Sequence, residues 1–179
     1  VSNLLQGLIA QRGNEAQLIA DLLAADPVVA DALALKEPAR TDKLTGKLAD
    51  FIRMGRVQSL EITDTNETVI YQAPNRQDLG QQATAWGVSE ALTGASSLVS
   101  VREPGGVVMR AIEPLRADGE IKGTISIGLA FDAAFMDKLS SQVGAKLSLL
   151  SASGAIGTAQ GSEKIDNTAM VEAFQKKIP

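Results

Sequence analysis

Apolar residues recur every three or four places along the first 35 positions. Leu4, Leu8, Leu18 and Leu22, with their neighbours Leu5, Ile9, Ile19 and Leu23, mark one broad face, the period of an amphipathic α-helix. Gln6, Gln11, Arg12, Asn14, Glu15 and Gln17 supply the polar face. Gly13 interrupts the pattern at a cost of about 1 kcal/mol relative to Ala. Asp26-Pro27 predicts an N-cap and a first-turn proline that restart a short helix through Leu35. A third helix is predicted from Thr41 or Asp42, with Leu44, Leu48, Phe51 and Ile52 on one face and Gly55 ending it.

From Val57 the period shortens to two. Residues 57–63 read as a strand, 64–67 as a turn and 68–73 as the returning strand. A loop follows over 74–80, then a helix over about 82–92 that carries Trp86 and stops at Gly94. Three more strands are predicted at 97–103, 107–115 and 121–131, joined by Pro104-Gly105-Gly106 and Ala117-Asp118-Gly119-Glu120, both strong hairpin signals. Asp132 caps a helix over 133–143, residues 146–151 form a last strand, and Ser153-Gly154 turns the chain. A helix is predicted over about 167–177. Consecutive hairpins with helices on one side imply an α+β domain, with a long N-terminal helix packed on an antiparallel sheet of about five strands. The chain divides by this reading into a helical region (1–56), a sheet module (57–155) and a C-terminal segment (156–179).

Hydrophobic residues make up 45% of the chain and aromatics only 3%, so the core is expected to be aliphatic and each exposed aromatic carries more meaning. Seventeen basic and 21 acidic residues give a net charge of −4. No basic stripe of the kind nucleic acid requires is present. There is no His and no Cys, which removes disulfides, thiol nucleophiles, the usual zinc ligands and every His-based general base. No cofactor and no catalytic activity are expected. The chain starts at Val1 and ends at Pro179, as a soluble piece of a longer protein would. No apolar run approaches the roughly 20 residues that span a bilayer, so any membrane helices are expected to flank the sequence.

Other motifs weigh little. Gly154-x-x-Gly157 with Gly161 lacks the lysine and spacing of a phosphate loop, and Asp64-x-Asn66 lacks the Gly and distal Glu of a calcium loop. Glu61 with Asp64, or Glu113 with Asp118, would be paired carboxylates only if they left the surface, where strand ends and turns normally hold charge.

Three segments, SLEITDTNETVIYQAP (59–74), the helix opening at Asp78-Leu79-Gly80 and EALTG (90–94), precede the longest, VVMRAIEPLRADGEIKGTISIGLAFDAAFMDKL (107–139). These segments, and above all the last with its apolar strand, Pro, charged turn, apolar strand, Asp and helix, resemble the Cache family, the extracytoplasmic PAS-like sensor domains of chemoreceptors, sensor kinases and cyclic-nucleotide signalling proteins. Over about residues 1–155 the chain is most similar to the membrane-distal module of a double-Cache sensor, and a second module would normally follow. The resemblance implies a helix rising from the membrane, a sheet against it and a ligand pocket on the sheet's opposite face. Family ligands include amino acids, small carboxylates, amines and purines. The amino-acid-binding pattern of some double-Cache sensors is not reproduced; Arg76, Asp78 and Trp86 echo it at a different spacing.

Strand alternation predicts which side chains meet a ligand. Ile125, Ile127 and Leu129 form an apolar face, while Thr124, Ser126 and Gly128 form a small polar one. Arg110, and with it Arg102 and Ser100, is expected to join Thr124 and Ser126. A guanidinium among hydroxyls suits bidentate capture of a carboxylate. Tyr71, Arg76 and Trp86 are further candidates. Each has a plain alternative: Arg110 paired with Glu113 or solvated, Arg102 at a solvated strand end, Tyr71 and Trp86 in the core, Arg76 paired with Asp78. The expected function is a periplasmic or extracellular small-molecule sensor that relays binding by helix rearrangement, with a homodimer through the N-terminal helix. The alternative is a dimerisation or interaction module without a small ligand.

Overall fold

The computed structural model describes residues 2–53, 57–103, 106–144, 147–151 and 154–158. Three helices open the chain: α1 (Ser2–Ala24), α2 (Pro27–Leu33) and α3 (Ala39–Arg53). The break between α1 and α2 falls where Asp26-Pro27 predicts it. Asp26 is extended at φ −77° and ψ 120°, and its side chain accepts a hydrogen bond from the Val28 backbone at 2.8 Å, the geometry of an N-cap. The third helix starts at Ala39, ahead of the expected Thr41 or Asp42; the Pro38 carbonyl accepts from the Asp42 amide at 3.1 Å, extending the first turn backwards. Its predicted stop at Gly55 lies outside the described residues.

Strands β1 (Ser59–Thr63) and β2 (Val69–Ala73) form a hairpin, a short helix α4 (Val88–Leu92) follows, and β3 (Ser97–Glu103), β4 (Gly106–Ala117) and β5 (Glu120–Ala130) complete a sheet of order β2-β1-β5-β4-β3. The fold is therefore the expected α+β arrangement of an N-terminal helix with a five-stranded antiparallel sheet. β1 is an interior strand, pairing with both β2 and β5, Leu60 lying opposite Ala73 on one side and Ile127 on the other.

The helix predicted over 82–92 shrinks to five residues, which takes Trp86 out of it. The cause is Gly87, at φ 99° and ψ −6°, a left-handed conformation that a helix interior does not contain. A side chain there would also meet Ser97 Cβ at 2.8 Å and Ile112 Cδ1 at 3.2 Å.

Two compact units divide the chain. The larger comprises residues 11–101 and 108–129. Its core joins Ala16, Ala20 and Leu23 of α1, Val29 and Ala32 of α2 and Leu44 and Leu48 of α3 to Leu60, Ile62, Ala111, Leu115, Ile125, Ile127 and Leu129 of the sheet. These aliphatic side chains are almost wholly removed from solvent, each Leu or Ile contributing about 1.5–3 kcal/mol. A satellite cluster of Val88, Ala91 and Ile112 joins α4 to the other face of β4.

The smaller unit comprises residues 1–10, 102–107 and 130 onwards. Helix α5 (Ala133–Val143) begins at Asp132, whose side chain accepts from the Phe135 amide at 2.8 Å, and ends at Gly144 in the left-handed region. Met136 and Leu139 pack with Leu8, Phe135 and Leu147. The predicted last strand becomes β6 (Ser148–Ser151), and the chain returns as a strand that the sequence pattern does not reveal, β7 (Gly154–Thr158). The helix predicted over 167–177 lies outside the described residues.

Candidate functional site

Leu60 and Ile62 of β1 and Ile125, Ile127 and Leu129 of β5 point to the helical core. Period-two alternation sends their neighbours to the far face of the sheet. The pairing then fixes which residues sit side by side: Glu61 opposite Ser126, Thr63 opposite Thr124, and Glu61 opposite Gln72 of β2. The result is a polar floor across three strands. It is buried: Glu61 is 9% exposed, Thr63 1%, Thr124 0% and Ser126 3%. The threonine hydroxyls share a hydrogen bond at 2.8 Å. Gln72 donates to Glu61 Oε2 at 3.3 Å.

Arg110 reaches this face from β4. Ala111 and Leu115 belong to the helical core, so Arg110 alternates to the far side with Val108 and Ile112. Two contacts agree. Val108 Cγ1 lies 2.7 Å from where a Gly128 Cβ would stand, and Ile112 packs on α4. Arg110 is half-buried, and its Nε is shielded from solvent. Arg110, Thr124 and Ser126 thus share a face as the sequence pattern predicts, with Glu61, Thr63 and Gln72 added to them.

The other candidates are placed elsewhere. Tyr71 is opposite Ile62, 2% exposed and part of the helical core, so it does not belong to this floor. Ser100 takes the face of Leu98, whose Cδ2 lies 2.8 Å from a Cβ position on Gly13 of α1, and is separated from Arg110 by the sheet. Arg102 is exposed and belongs to the smaller unit. Trp86 stands 71% exposed in the loop before α4, not in a satellite core. Arg76 is exposed and donates to Thr45 of α3 at 3.4 Å, while Asp78, the partner expected for it, meets Gln72 at 2.8 Å.

Glu113 also departs from expectation. It shares the face of Ala111 and Leu115 rather than that of Arg110, is 7% exposed, and accepts hydrogen bonds from Gln17 of α1 and from Ser96 at 2.6 Å. Beside it a groove of about 610 Å³ opens between the end of α1, the start of α2 and the end of β4, with Asp21, Asp31, Glu113 and Asp118 set against Arg116. Neither Glu61 nor Glu113 is surface charge. Both alternate with apolar residues, as solvent-facing charge also does, so alternation carries no sign of their burial.

The far face has acceptors, donors and the Arg110 guanidinium, which suits hydrogen-bonded capture of a small polar molecule. Among the described residues no group of carboxylates is arranged to hold a metal ion, and no helix is long and apolar enough to cross a membrane.

The model of the dCache_3 family, described as the double sensory domain of two-component sensor kinase, matches residues 1–177. No curated protein sequence matches the chain. Solved structures of similar fold include the sensor domain of the Vibrio cholerae histidine kinase DctB, with a TM-score of 0.64 and 16% identity. That match covers 75% of this chain and 56% of the DctB domain, so the chain spans little more than half of that relative. The Escherichia coli DcuS sensor domain aligns with a TM-score of 0.60 at 20% identity, over 76% of this chain and 98% of its own. The ligand-binding domain of the Campylobacter jejuni chemoreceptor Tlp3, in complex with L-norvaline, gives 0.60 at 14% identity, over 97% and 73%.

Proposed function

The chain belongs to the double-Cache family of sensory domains, and from that premise we propose that it is the extracytoplasmic ligand-sensing module of a transmembrane signalling receptor. The observation that supports this most directly is the buried polar floor on the sheet face away from the core helices, with Arg110 on the same face as Thr124 and Ser126. Folded domains leave such groups buried only when they are hydrogen-bonded, and a floor of this kind can exchange internal partners for a ligand's. The Tlp3 complex with L-norvaline supports a small molecule as the class of ligand. Arg110 would hold a carboxylate or similar anion through its paired N–H groups.

Ligand binding would favour one arrangement of the elements around the floor, and β1 and β5 would pass that bias to the helices packed on their other face. Self-association belongs to the same reading: Leu18 and Leu22, one turn apart on α1, are 62% and 57% exposed, and a second copy of α1 would cover them.

The test is a thermal-shift screen over amino acids, carboxylates, amines and purines at millimolar concentration. A ligand of micromolar affinity raises the melting temperature by a few degrees. Arg110→Ala should abolish that shift. Silence from every class would favour the alternative, an interaction module with no small ligand.

A further inference from the structure

The groove beside Glu113 lies on the helix side of the sheet, away from the polar floor. At about 610 Å³ it falls in the size range of small-molecule sites. Between its charged positions the walls are small and apolar, with Ala24 from α1, Ala30 from α2 and Pro114 and Ala117 from β4. Glu113 is 7% exposed, yet its hydrogen-bond partners among the described residues, Gln17 and Ser96, are both neutral. A carboxylate offers about four acceptor positions, and these donors occupy two of them. A buried charge without a countercharge is costly, and this one lines an open space.

The surroundings add to that charge. Helices α1 and α2 each carry an aspartate in the last turn, Asp21 and Asp31, and no basic residue there, although the negative end of a helix dipole favours cations. Both aspartates line the groove, and Asp118 in the β4–β5 turn adds a fourth carboxylate. Asp31 has Lys43 at 3.4 Å, whereas the side-chain partner of Asp21 among the described residues is Gln17. Against these acids the lining holds Arg116, whose Nη2 lies 3.1 Å from where a Gly94 Cβ would stand.

We propose that this groove is a ligand site separate from the floor, and that its ligand is a linear polyamine, primary ammonium groups spaced by methylene runs. Charge complementarity sets the sign of the ligand. The ammonium is primary because its N–H donors match carboxylates, while a quaternary one calls for an aromatic cage, and no aromatic side chain among the described residues lines the groove. One ammonium belongs at Glu113 and Asp21, which a single nitrogen of Gln17 holds together. The next belongs at Asp118. From Glu113 to the end of β4 is four residues of strand, roughly 13 Å, so the ligand must be long. Its methylenes rest on alanine and proline as lysine stems rest on apolar surface. The site uses neither Arg110 nor the floor.

The test is isothermal titration of the full chain with spermidine at physiological ionic strength, where distant charges are screened. The comparison probes are n-butylamine, Mg²⁺ and a trilysine peptide. Spermidine should bind one to one and about tenfold more tightly than n-butylamine, the weight of a further hydrogen bond between charged groups. Glu113→Gln should weaken both amines about tenfold. Asp21→Asn, at an exposed position that does not threaten the core, reports on the same ammonium and should weaken both about threefold. Asp118→Asn should weaken spermidine to a similar degree and leave n-butylamine unchanged. Asp78→Asn, which removes a charge outside the groove, should change neither. Equal losses from Asp78→Asn and Asp118→Asn, or Mg²⁺ binding as tightly as spermidine, would overturn the proposal by reducing the groove to diffuse negative charge. So would trilysine binding tenfold more tightly than spermidine, which would mark a protein-docking surface. Spermidine binding that survives Arg110→Ala and falls with Asp21→Asn belongs to the groove, whatever becomes of the floor. The reverse pattern would place the amine on the floor and refute the second site.

Discussion

Thr63 and Thr124 face each other across the β1–β5 pair, hydroxyl to hydroxyl at 2.8 Å, and both side chains are buried. Each hydroxyl is the other's partner in a region shielded from water, so the bond matters through what is left when it is broken. Thr124→Val should destabilise the domain by about 1–3 kcal/mol, because it strands the Thr63 hydroxyl. The double variant Thr63→Val with Thr124→Val should cost less than the sum of the two single changes. Urea unfolding of the three variants measures this; strict additivity would refute it.

Gly87 joins the loop to α4 in a conformation that L side chains resist, with Ser97 and Ile112 against the place a Cβ would occupy. Gly87→Ala should lower stability by at least about 1–2 kcal/mol from the left-handed backbone alone. The packing of Val88 and Ala91 on Ile112 should loosen with it, read as faster amide exchange in α4 than in β1.

Leu22 and Leu23 are sequence neighbours with opposite roles. Leu23 is wholly buried in the helical core, while Leu22 is 57% exposed. Leu23→Ala should cost about 2–5 kcal/mol. Leu22→Asp, by contrast, should stay within about 0.5 kcal/mol in the monomer. If α1 meets a second copy of itself, Leu18→Asp and Leu22→Asp should shift the mass seen by light scattering from dimer to monomer. An unchanged mass would exclude these residues from any such contact.

Asp26 caps α2 and pairs with Lys47 of α3. The Lys47 hydrogen bond, helped by the Val28 amide and the ammonium's charge, holds its carboxyl below the ordinary Asp value, against a smaller opposing effect of burial. A depressed folded-state pKa adds stability that is fully present above the unfolded value and is lost as pH falls through the folded one. Asp26→Ala should therefore cost about 0.5–2 kcal/mol at neutral pH through the lost cap. The gap between variant and parent should close in acid. Denaturation midpoints at neutral pH and below the carboxylate range provide the check.

Much of this fold is legible in the sequence because local chemistry and burial agree. Ile125, Ile127 and Leu129 announce a one-sided strand, and Asp26-Pro27 marks a helix start whose cap is made as expected. Arg110, Thr124 and Ser126 follow from alternation alone. What alternation lacks is the relation between strands. Tyr71 looks as available as Arg110 until the pairing with Ile62 sends it to the core, and Ser100 until Leu98 is found against α1. Glu61 is hidden for a related reason: a carboxylate between Leu60 and Ile62 has the pattern of a solvent-facing residue, and only Gln72 and Ser126 on the neighbouring strands reveal a floor. Trp86 is a third case: the helical sequence pattern extends through Gly87, whereas the helical backbone starts only after it.

The notch at Gly13 bears on how a signal would travel. Leu98 of β3 and Met109 of β4 close on α1 at Gly13, where no side chain intervenes, at 2.8 and 3.2 Å from the missing Cβ. Such a fit works as a detent on a shaft: for α1 to slide along the sheet, Leu98 must first climb out of the notch.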